Sequence, residues 1–476
     1  MSGLYDNSMV TYPTRLRLAS LSLVATLVGC QGASSPATAP VLEQAPSAPE
    51  SAQPEAPVSL FPTACETWSP DSLEWRKLAD IGSQERDDDL GNTVVVSQFA
   101  LPEGASPRYN AGVEICPGFL LVVNHVGETR FISLPDAAWA SGPTLQPSGA
   151  TSSLGVAGVE SGGPVWGFRD VLMGRESLFL SDAVIDTDTE CVRTEVREIP
   201  VADFLAGAAD TDIVYSSVPC LDYTEEGRAA APIKTHLAGA LAYDAGTDQL
   251  FVTIGDYHLG ASTIGQAANT GIAVTERDYA TLRNPTAAAS AVIAISTVST
   301  TPTPRVFAKG LRNSLGLLLT PSGELWLSDH GPNGGDELNL ITEGADYGWP
   351  LRAQGRPYDR SQWPLDSNRL PAPWLDFFEG DLPGATDPRF VWTPAIAPSE
   401  LALYAPITPT LAHYQGTVLL GSLRGEALIA LTLGGSITES RLQLGERIRD
   451  VTVVSTGVVA LLSDSSQLLL ISALEG

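Results

Sequence analysis

Positive charge is the first thing this chain is short of. Lys and Arg number 27 against 55 Asp and Glu, a formal net charge of −28. Nucleic acid, which requires a basic footprint, is therefore not an expected partner, and any anion bound here has to be held by locally concentrated arginine. Helical patterning is scarce, and no Gly-x-Gly-x-x-Gly leads from a strand into a helix, so no nicotinamide or flavin fingerprint is present. Long apolar runs are missing too: Leu18 to Val28 is too short to span a bilayer comfortably. Cysteine is sparse. Apart from Cys30 there are Cys65, Cys116, Cys191 and Cys220, an even number that in an exported chain allows up to two disulfides among three pairings. Their order along the chain suggests Cys65 with Cys116 and Cys191 with Cys220.

The N-terminus reads as an address. Arg15 and Arg17 precede the apolar run, which ends in Leu27-Val28-Gly29-Cys30 and resembles a bacterial lipoprotein signal. That resemblance implies a signal peptide over residues 1–29, lipidation of Cys30, and export to the bacterial envelope, anchored to the outer membrane and touching it through the lipid alone. Residues 30–59 are rich in Ala, Pro and Ser and cannot bury enough apolar surface to order themselves, so a flexible linker is expected. The folded part is expected over residues 60–476.

What the chain has in abundance is a short repeat, a turn followed by an apolar strand and a small polar end. Six copies occur: Pro117–Asn124, Glu176–Asp182, Asp248–Asp256, Ser322–Asp329, Gln415–Ser422 and Thr456–Asp464. One copy per four-stranded blade, with unequal insertions between them, predicts an all-β, six-bladed β-propeller. Equivalent strand ends then gather on one face around the axis, bringing together Asp256, the Asp329–Pro332 cluster, Ser422 and Asp464.

The densest chemistry lies between Arg305 and Pro350. A hairpin there ends in Asp329-His330-Gly331-Pro332, a side chain plus stiffly held backbone carbonyls of the kind that hard cations such as calcium accept as ligands. A tight turn between strands would look the same. The insertion from Tyr347 to about Pro398 contains Trp349, Trp363, Trp374 and Trp392. Such rings either stack on a sugar or cap the loop's own small core.

Three elements in this span resemble the soluble pyrroloquinoline quinone (PQQ) dependent aldose dehydrogenases of the glucose/sorbosone dehydrogenase family. They are Arg312-Asn313 with Gly316, the run His330-Gly331-Pro332-Asn333-Gly334-Gly335-Asp336-Glu337-Leu338-Asn339-Leu340-Ile341, and Asp346-Tyr347-Gly348-Trp349-Pro350. The family fold is a six-bladed propeller, in agreement with the repeat count. The resemblance implies that His236, in Lys234-Thr235-His236-Leu237-Ala238-Gly239-Ala240-Leu241, is the general base that takes the proton of the sugar's anomeric hydroxyl. It implies further that Arg312 polarises the quinone oxygen, that Asn313 and His330 lie at the cofactor, and that the carbonyls of Gly331 and Pro332 hold calcium. Arg424 and the Arg447-Ile448-Arg449-Asp450-Val451 element would cradle the carboxylates of PQQ.

The chain also departs from the family pattern. Leu311, Ser314 and Leu315 replace the usual neighbours of Arg312-Asn313, Thr235 precedes the histidine, and His330 stands where glutamine can occur. The early Gly-Gln-Gly element is replaced by Val165-Trp166-Gly167-Phe168-Arg169-Asp170. Cofactor-side residues are thus kept better than sugar-side ones. His258 could line the same pocket, while His125 and His413 are read as structural. The expected activity is PQQ- and calcium-dependent oxidation of an aldose or similar hydroxyl substrate, with electrons passed to a quinone or cytochrome. The alternatives are a propeller that binds a glycan or protein without turnover and a calcium-dependent hydrolase of the lactonase type.

Overall fold

The computed structural model describes residues 61–474 apart from 103, 105–108, 146–166, 187, 188, 190, 223–235, 258–280, 298–301, 333, 351 and 356–383. Cys30, Thr235, His258, Trp363 and Trp374 therefore lie outside the described residues. Residues 58–476 cluster as one compact unit.

Each of the six repeats forms the second strand of a different sheet. Phe119–Asn124, Ser177–Asp186, Gln249–Ile254, Leu325–Asp329, Val418–Ser422 and Val459–Ser463 each pair antiparallel with an inner strand on one side and a third strand on the other. The inner strands are Tyr109–Cys116, Gly167–Met173, Ala238–Asp244, Ser314–Leu319, Pro398–Leu403 and Ile448–Val453. They pack one against the next and the last against the first, closing a six-bladed β-propeller. The sixth blade is composite: Thr93–Ala100 pairs with Gln467–Ser472, and Ala79–Asp87 adds outside it, so both ends of the domain share one sheet. Among the described residues the α-helical stretches are short, Ala64–Thr67, Val201–Leu205 and 281–283, and none is long and apolar enough to cross a membrane.

Period-two alternation explains why the repeats read as continuous apolar runs. In the third blade Leu250, Val252 and Ile254 point toward the second blade while Phe251 points toward the fourth; in the fourth, Leu325 and Leu327 face the third while Trp326 faces the fifth. Both faces of every second strand are buried, which demands apolar residues at odd and even positions alike. The apolar clusters accordingly fall in the six interfaces between neighbouring blades.

Near the axis polar side chains tie each blade to the next. Asn110 Nδ2 donates to Phe168 O at 2.7 Å, Ser181 Oγ donates to Gly239 O, and Thr253 Oγ1 donates to Ser314 O at 2.9 Å. Ser328 Oγ reaches Ser399 O at 2.8 Å, Ser399 Oγ reaches Ile448 O at 2.8 Å, and Thr452 Oγ1 reaches Gly112 O at 2.9 Å, which completes the circle. Ser181, Thr253 and Ser328 hold the same place in their repeats. In the fifth blade that place is Gly421, where a Cβ would stand 2.4 Å from Ser399 Oγ, so the hydroxyl of the inner strand takes over the link. The two disulfides are Cys65–Cys116, which fastens the segment before the propeller to the first blade, and Cys191–Cys220 within the second.

Three carboxylates from different inner strands, Asp170, Glu400 and Asp450, converge in the axial channel with their oxygens within 4.8 Å of one another. Asp170 accepts from Leu241 N at 2.7 Å and Asp450 from Gly112 N at 3.1 Å. Burial first, then mutual repulsion, raises Glu400 and Asp450 well above the ordinary carboxylate range; burial lifts Asp170 to about 7. A carboxyl whose folded pKa exceeds its unfolded one binds more protons when folded, so stability falls as pH rises from its unfolded value through its folded one. Glu400→Gln, neutral in both states, removes its share of this penalty. The variant is expected to melt higher than the parent at pH 8 by at least about 2 °C and nearly alike at pH 5. Thermal melts at the two pH values check this, and an equal shift at both would refute it.

Candidate functional site

The groups singled out in the sequence come together at the end of the propeller where inner strands begin and second strands finish. His236 precedes the inner strand of the third blade, with its backbone at φ 61°, a left-handed conformation that non-glycine residues adopt rarely and that tends to mark functional turns. Its carbonyl accepts from Tyr257 N at 3.2 Å. Gly255 lies so close that a Cβ there would stand 1.8 Å from His236 O, which is why the second strand ends in glycine before Asp256.

Asp256, whose side chain is fully buried, is the partner of the histidine. His236 Nδ1 donates to Asp256 Oδ1 at 2.7 Å, and Trp349 Nε1 donates to Asp256 Oδ2 at 2.9 Å. A carboxylate can only accept here, so the imidazole carries its proton on Nδ1 and its lone pair on Nε2. Burial, then the positive charge of Arg312 and the neighbouring His330, holds the His236 pKa well below the usual histidine value. At neutral pH the ring is a neutral base.

Arg312 and Asn313 sit in the loop that enters the fourth blade, and Asp329 shapes it. Its Oδ2 accepts from Arg312 N at 2.8 Å and its Oδ1 from Asn313 N at 2.7 Å and Ser314 Oγ at 3.0 Å. Burial raises Asp329 to about 6, and Glu337, directly across the sheet, is pushed to about 8 by burial and then by the Asp329 charge. Near neutral pH Glu337 thus keeps its proton, and Asp329 carries the charge beside Arg312. The guanidinium projects the other way: Arg312 Nη1 donates to His330 O and Gly331 O, each at 3.0 Å. Asn313 Oδ1 accepts from Ala238 N at 3.3 Å, linking this loop to the third blade.

His330 Nε2 donates to Pro398 O at 2.7 Å, so its ring is tied to the fifth blade. The turn beyond it is set by Asp336, whose Oδ1 accepts from Gly331 N at 2.9 Å and whose Oδ2 accepts from Ile396 N and Ala397 N at 2.7 Å. Asp336 is therefore a backbone clamp under the Gly331-Pro332 carbonyls. Arg447 and Arg449 share Asp464 through their Nε atoms, at 2.8 and 2.6 Å, and Arg447 Nη1 donates to Leu423 O at 3.1 Å, next to the exposed Arg424. Arg449 also lines an axial cavity with Arg169, Asn110, Asp170 and Glu400.

Several working contacts carry no sequence signal. Asp256 is expected on this face from the repeat but not as the partner of His236, and the clamp roles of Asp329, Asp336 and Asp464 have no motif beyond an acid at a strand end. Trp349 and Trp392 are each 3% exposed. They take the packing alternative rather than sugar stacking: Trp392 Nε1 donates to Glu439 at 2.7 Å, and Trp349 holds Asp256.

The architecture and these groups define a propeller whose axial face carries a buried histidine–carboxylate pair beside clustered arginines. Residues 223–471, more than half of the 476, match the model of the Glucose / Sorbosone dehydrogenase family, and the chain belongs to that family. It is 32% identical over 166 residues to the aldose sugar dehydrogenase YliI of Escherichia coli K12, covering 34% of this chain and 41% of that one. The chain spans about two-fifths of the length of the curated relatives it matches, between 37% and 43%. Among solved structures it resembles the apo-form soluble aldose sugar dehydrogenase of Escherichia coli, with TM-score 0.57, 21% identity and coverage of 82% of this chain and 99% of that one. It also resembles the PQQ-bound aldose sugar dehydrogenase of Streptomyces coelicolor, with TM-score 0.50, 16% identity and coverage of 79% and 98%.

Gly255→Ala is expected to cost about 2–4 kcal/mol by forcing the His236 turn open. Gly435, where an added Cβ would meet nothing within 4 Å, should tolerate alanine and serves as the control. Denaturant unfolding of the two variants checks the difference.

Proposed function

We propose that this protein is a PQQ- and calcium-dependent dehydrogenase that oxidises an aldose sugar or similar hydroxyl substrate at the anomeric carbon and passes the electrons to a quinone or cytochrome. The observation that carries the reading is the His236–Asp256 pair at 2.7 Å beside Arg312. The donor set fits both groups. In this acidic chain Arg312, Arg424, Arg447 and Arg449 suit a tricarboxylate, and Asn313 and His330 lie beside them. The His330 and Gly331 carbonyls already converge on a cationic guanidinium, as a calcium cradle would, and the Gly331 and Pro332 carbonyls would hold the ion.

When bound, PQQ supplies the hydride acceptor, and calcium supplies Lewis acidity at its reactive carbonyl. The protein's part is positioning and proton handling. His236 Nε2 takes the proton of the substrate hydroxyl as the C–H bond breaks, and Asp256 keeps the ring in the required tautomer and stabilises the imidazolium that forms. Arginine side chains anchor the cofactor's carboxylates and orient it. The sugar-side departures argue for a substrate other than the family's usual one, so glucose is one member of the panel to test. Export to the envelope and attachment through Cys30 belong to the same reading, since a quinone or cytochrome acceptor would be met there.

Titration of the mature domain with PQQ in calcium buffer, followed by dye reduction across a panel of aldoses, tests the proposal. Saturable, calcium-dependent binding with turnover is expected, and absence of binding would remove it. His236→Ala should lower turnover by about 10²–10⁴-fold with PQQ affinity unchanged within about threefold. Because the pKa of His236 is depressed, kcat/KM should hold as pH falls past about 6.5 and decline only below it. A decline centred at or above that value would contradict the base assignment.

A further inference from the structure

The turn Asp346–Pro350 carries Trp349 in from the fourth blade to the histidine pair of the third. Tyr347 Oη donates to Leu340 O at 2.6 Å, and Trp349 N donates to Gly310 O at 2.9 Å, so the turn is fixed at both ends. The indole then makes two contacts of different kinds. Its edge donates Nε1–H to Asp256 Oδ2 at 2.9 Å, and its face lies under Arg312, whose Cζ is 5.4 Å from the ring centroid. The other oxygen of Asp256 accepts from His236 Nδ1 at 2.7 Å. One buried carboxylate thus stands between the proposed base and an indole that also supports the guanidinium at the cofactor side.

We infer that Trp349 is a positioning residue that sets the basicity of His236 through Asp256. Two consequences of the geometry support this. The indole N–H prevents Asp256 from rotating away from the imidazole, because both carboxylate oxygens are engaged from fixed directions. It also draws negative charge toward Oδ2, which leaves less on Oδ1 to favour a protonated imidazole. Asp256, Arg312 and His330 all act on the ring: Asp256 favours the imidazolium, while Arg312 and His330 oppose it. Trp349 weakens the first and, through its face, helps hold the second in place. The indole therefore keeps His236 neutral where a bare aspartate at 2.7 Å would raise its proton affinity. The catalytic meaning of this rests on the dehydrogenase reading; the coupling of indole, carboxylate and imidazole does not.

The test uses the intact protein without added cofactor, labelled with ¹⁵N, with the His236 ring signals assigned by their loss in His236→Ala. In the parent, the Trp349 indole N–H signal should titrate with the same midpoint as the His236 ring, because the two share Asp256. An indole that only fills space would show no such inflection. In Trp349→Phe, which keeps a ring under Arg312 but has no N–H, the His236 midpoint should rise by about 0.5–1 unit, and the acid limb of kcat/KM should move with it. An indole signal in the parent that ignores the histidine titration overturns the inference even if the variant fails to fold. So does a His236 midpoint in Trp349→Phe within about 0.2 unit of the parent's. If the shared midpoint and the shift are both found in a protein that neither binds PQQ nor reduces dye, the positioning role stands and the dehydrogenase reading falls. If turnover is found without coupling, Trp349 alone loses its role.

Discussion

Two-sided burial of every second strand is the constraint from which the structure follows. A blade cannot expose either face, so each needs a neighbour on both sides, and the only arrangement that gives six blades two neighbours apiece is a closed ring. Closure brings the inner strands together at the axis, where backbone groups face one another across blade boundaries. Hydroxyls and amides such as Ser328, Ser399 and Asn110 bridge those boundaries by bonding to the next strand's carbonyl. The functional end inherits this stiffness, because His236, Arg312 and Arg449 each stand at or just before an inner strand whose place is set by two others.

An acidic chain that gathers arginines at one point must also keep them apart and correctly aimed. Aspartates do this work here. Asp329 grips the backbone of Arg312 and Asn313, Asp336 grips the Gly331 turn, and Asp464 divides itself between Arg447 and Arg449. In the first two cases the carboxylate meets backbone N–H groups rather than the guanidinium, so Arg312 keeps its charge directed toward the His330 and Gly331 carbonyls. An ion pair in the same place would have turned that charge inward.

The fold was legible because its signal is repeated. One apolar strand of six residues could belong to many architectures, but six of them with the same polar ending specify blade number and the face on which strand ends meet. The disulfide pairing could be suggested from chain order alone, since Cys65–Cys116 and Cys191–Cys220 each join segments of one neighbourhood. The arginines and histidines of the site could be named because long, gapless motifs carry them. Asp256 as the histidine's partner and Trp349 behind it could not. Their contacts join residues 20 and 93 positions apart and depend on how the third and fourth blades lie against each other, which no local pattern encodes. For Trp349 the sequence left sugar stacking and packing both open, and burial was decided by the turn that tucks it under Arg312.

The composite sixth blade bears on how the molecule is made. Its closing ladder pairs Val95–Ala100 with Gln467–Ser472, so the contact that seals the ring joins the beginning of the domain to its end. Five blades can form from sequence-local hairpins as the chain emerges, but the sixth cannot exist until the last strand is available. Until then the hairpin of Ala79–Asp87 and Thr93–Ala100 lacks its partner on one edge, the ring is open, and the arginines of the sixth blade have no fixed relation to the histidine of the third. The binding end is thus the last part of the protein to take shape, and a chain lacking Gln467–Ser472 would lose ring closure and site together.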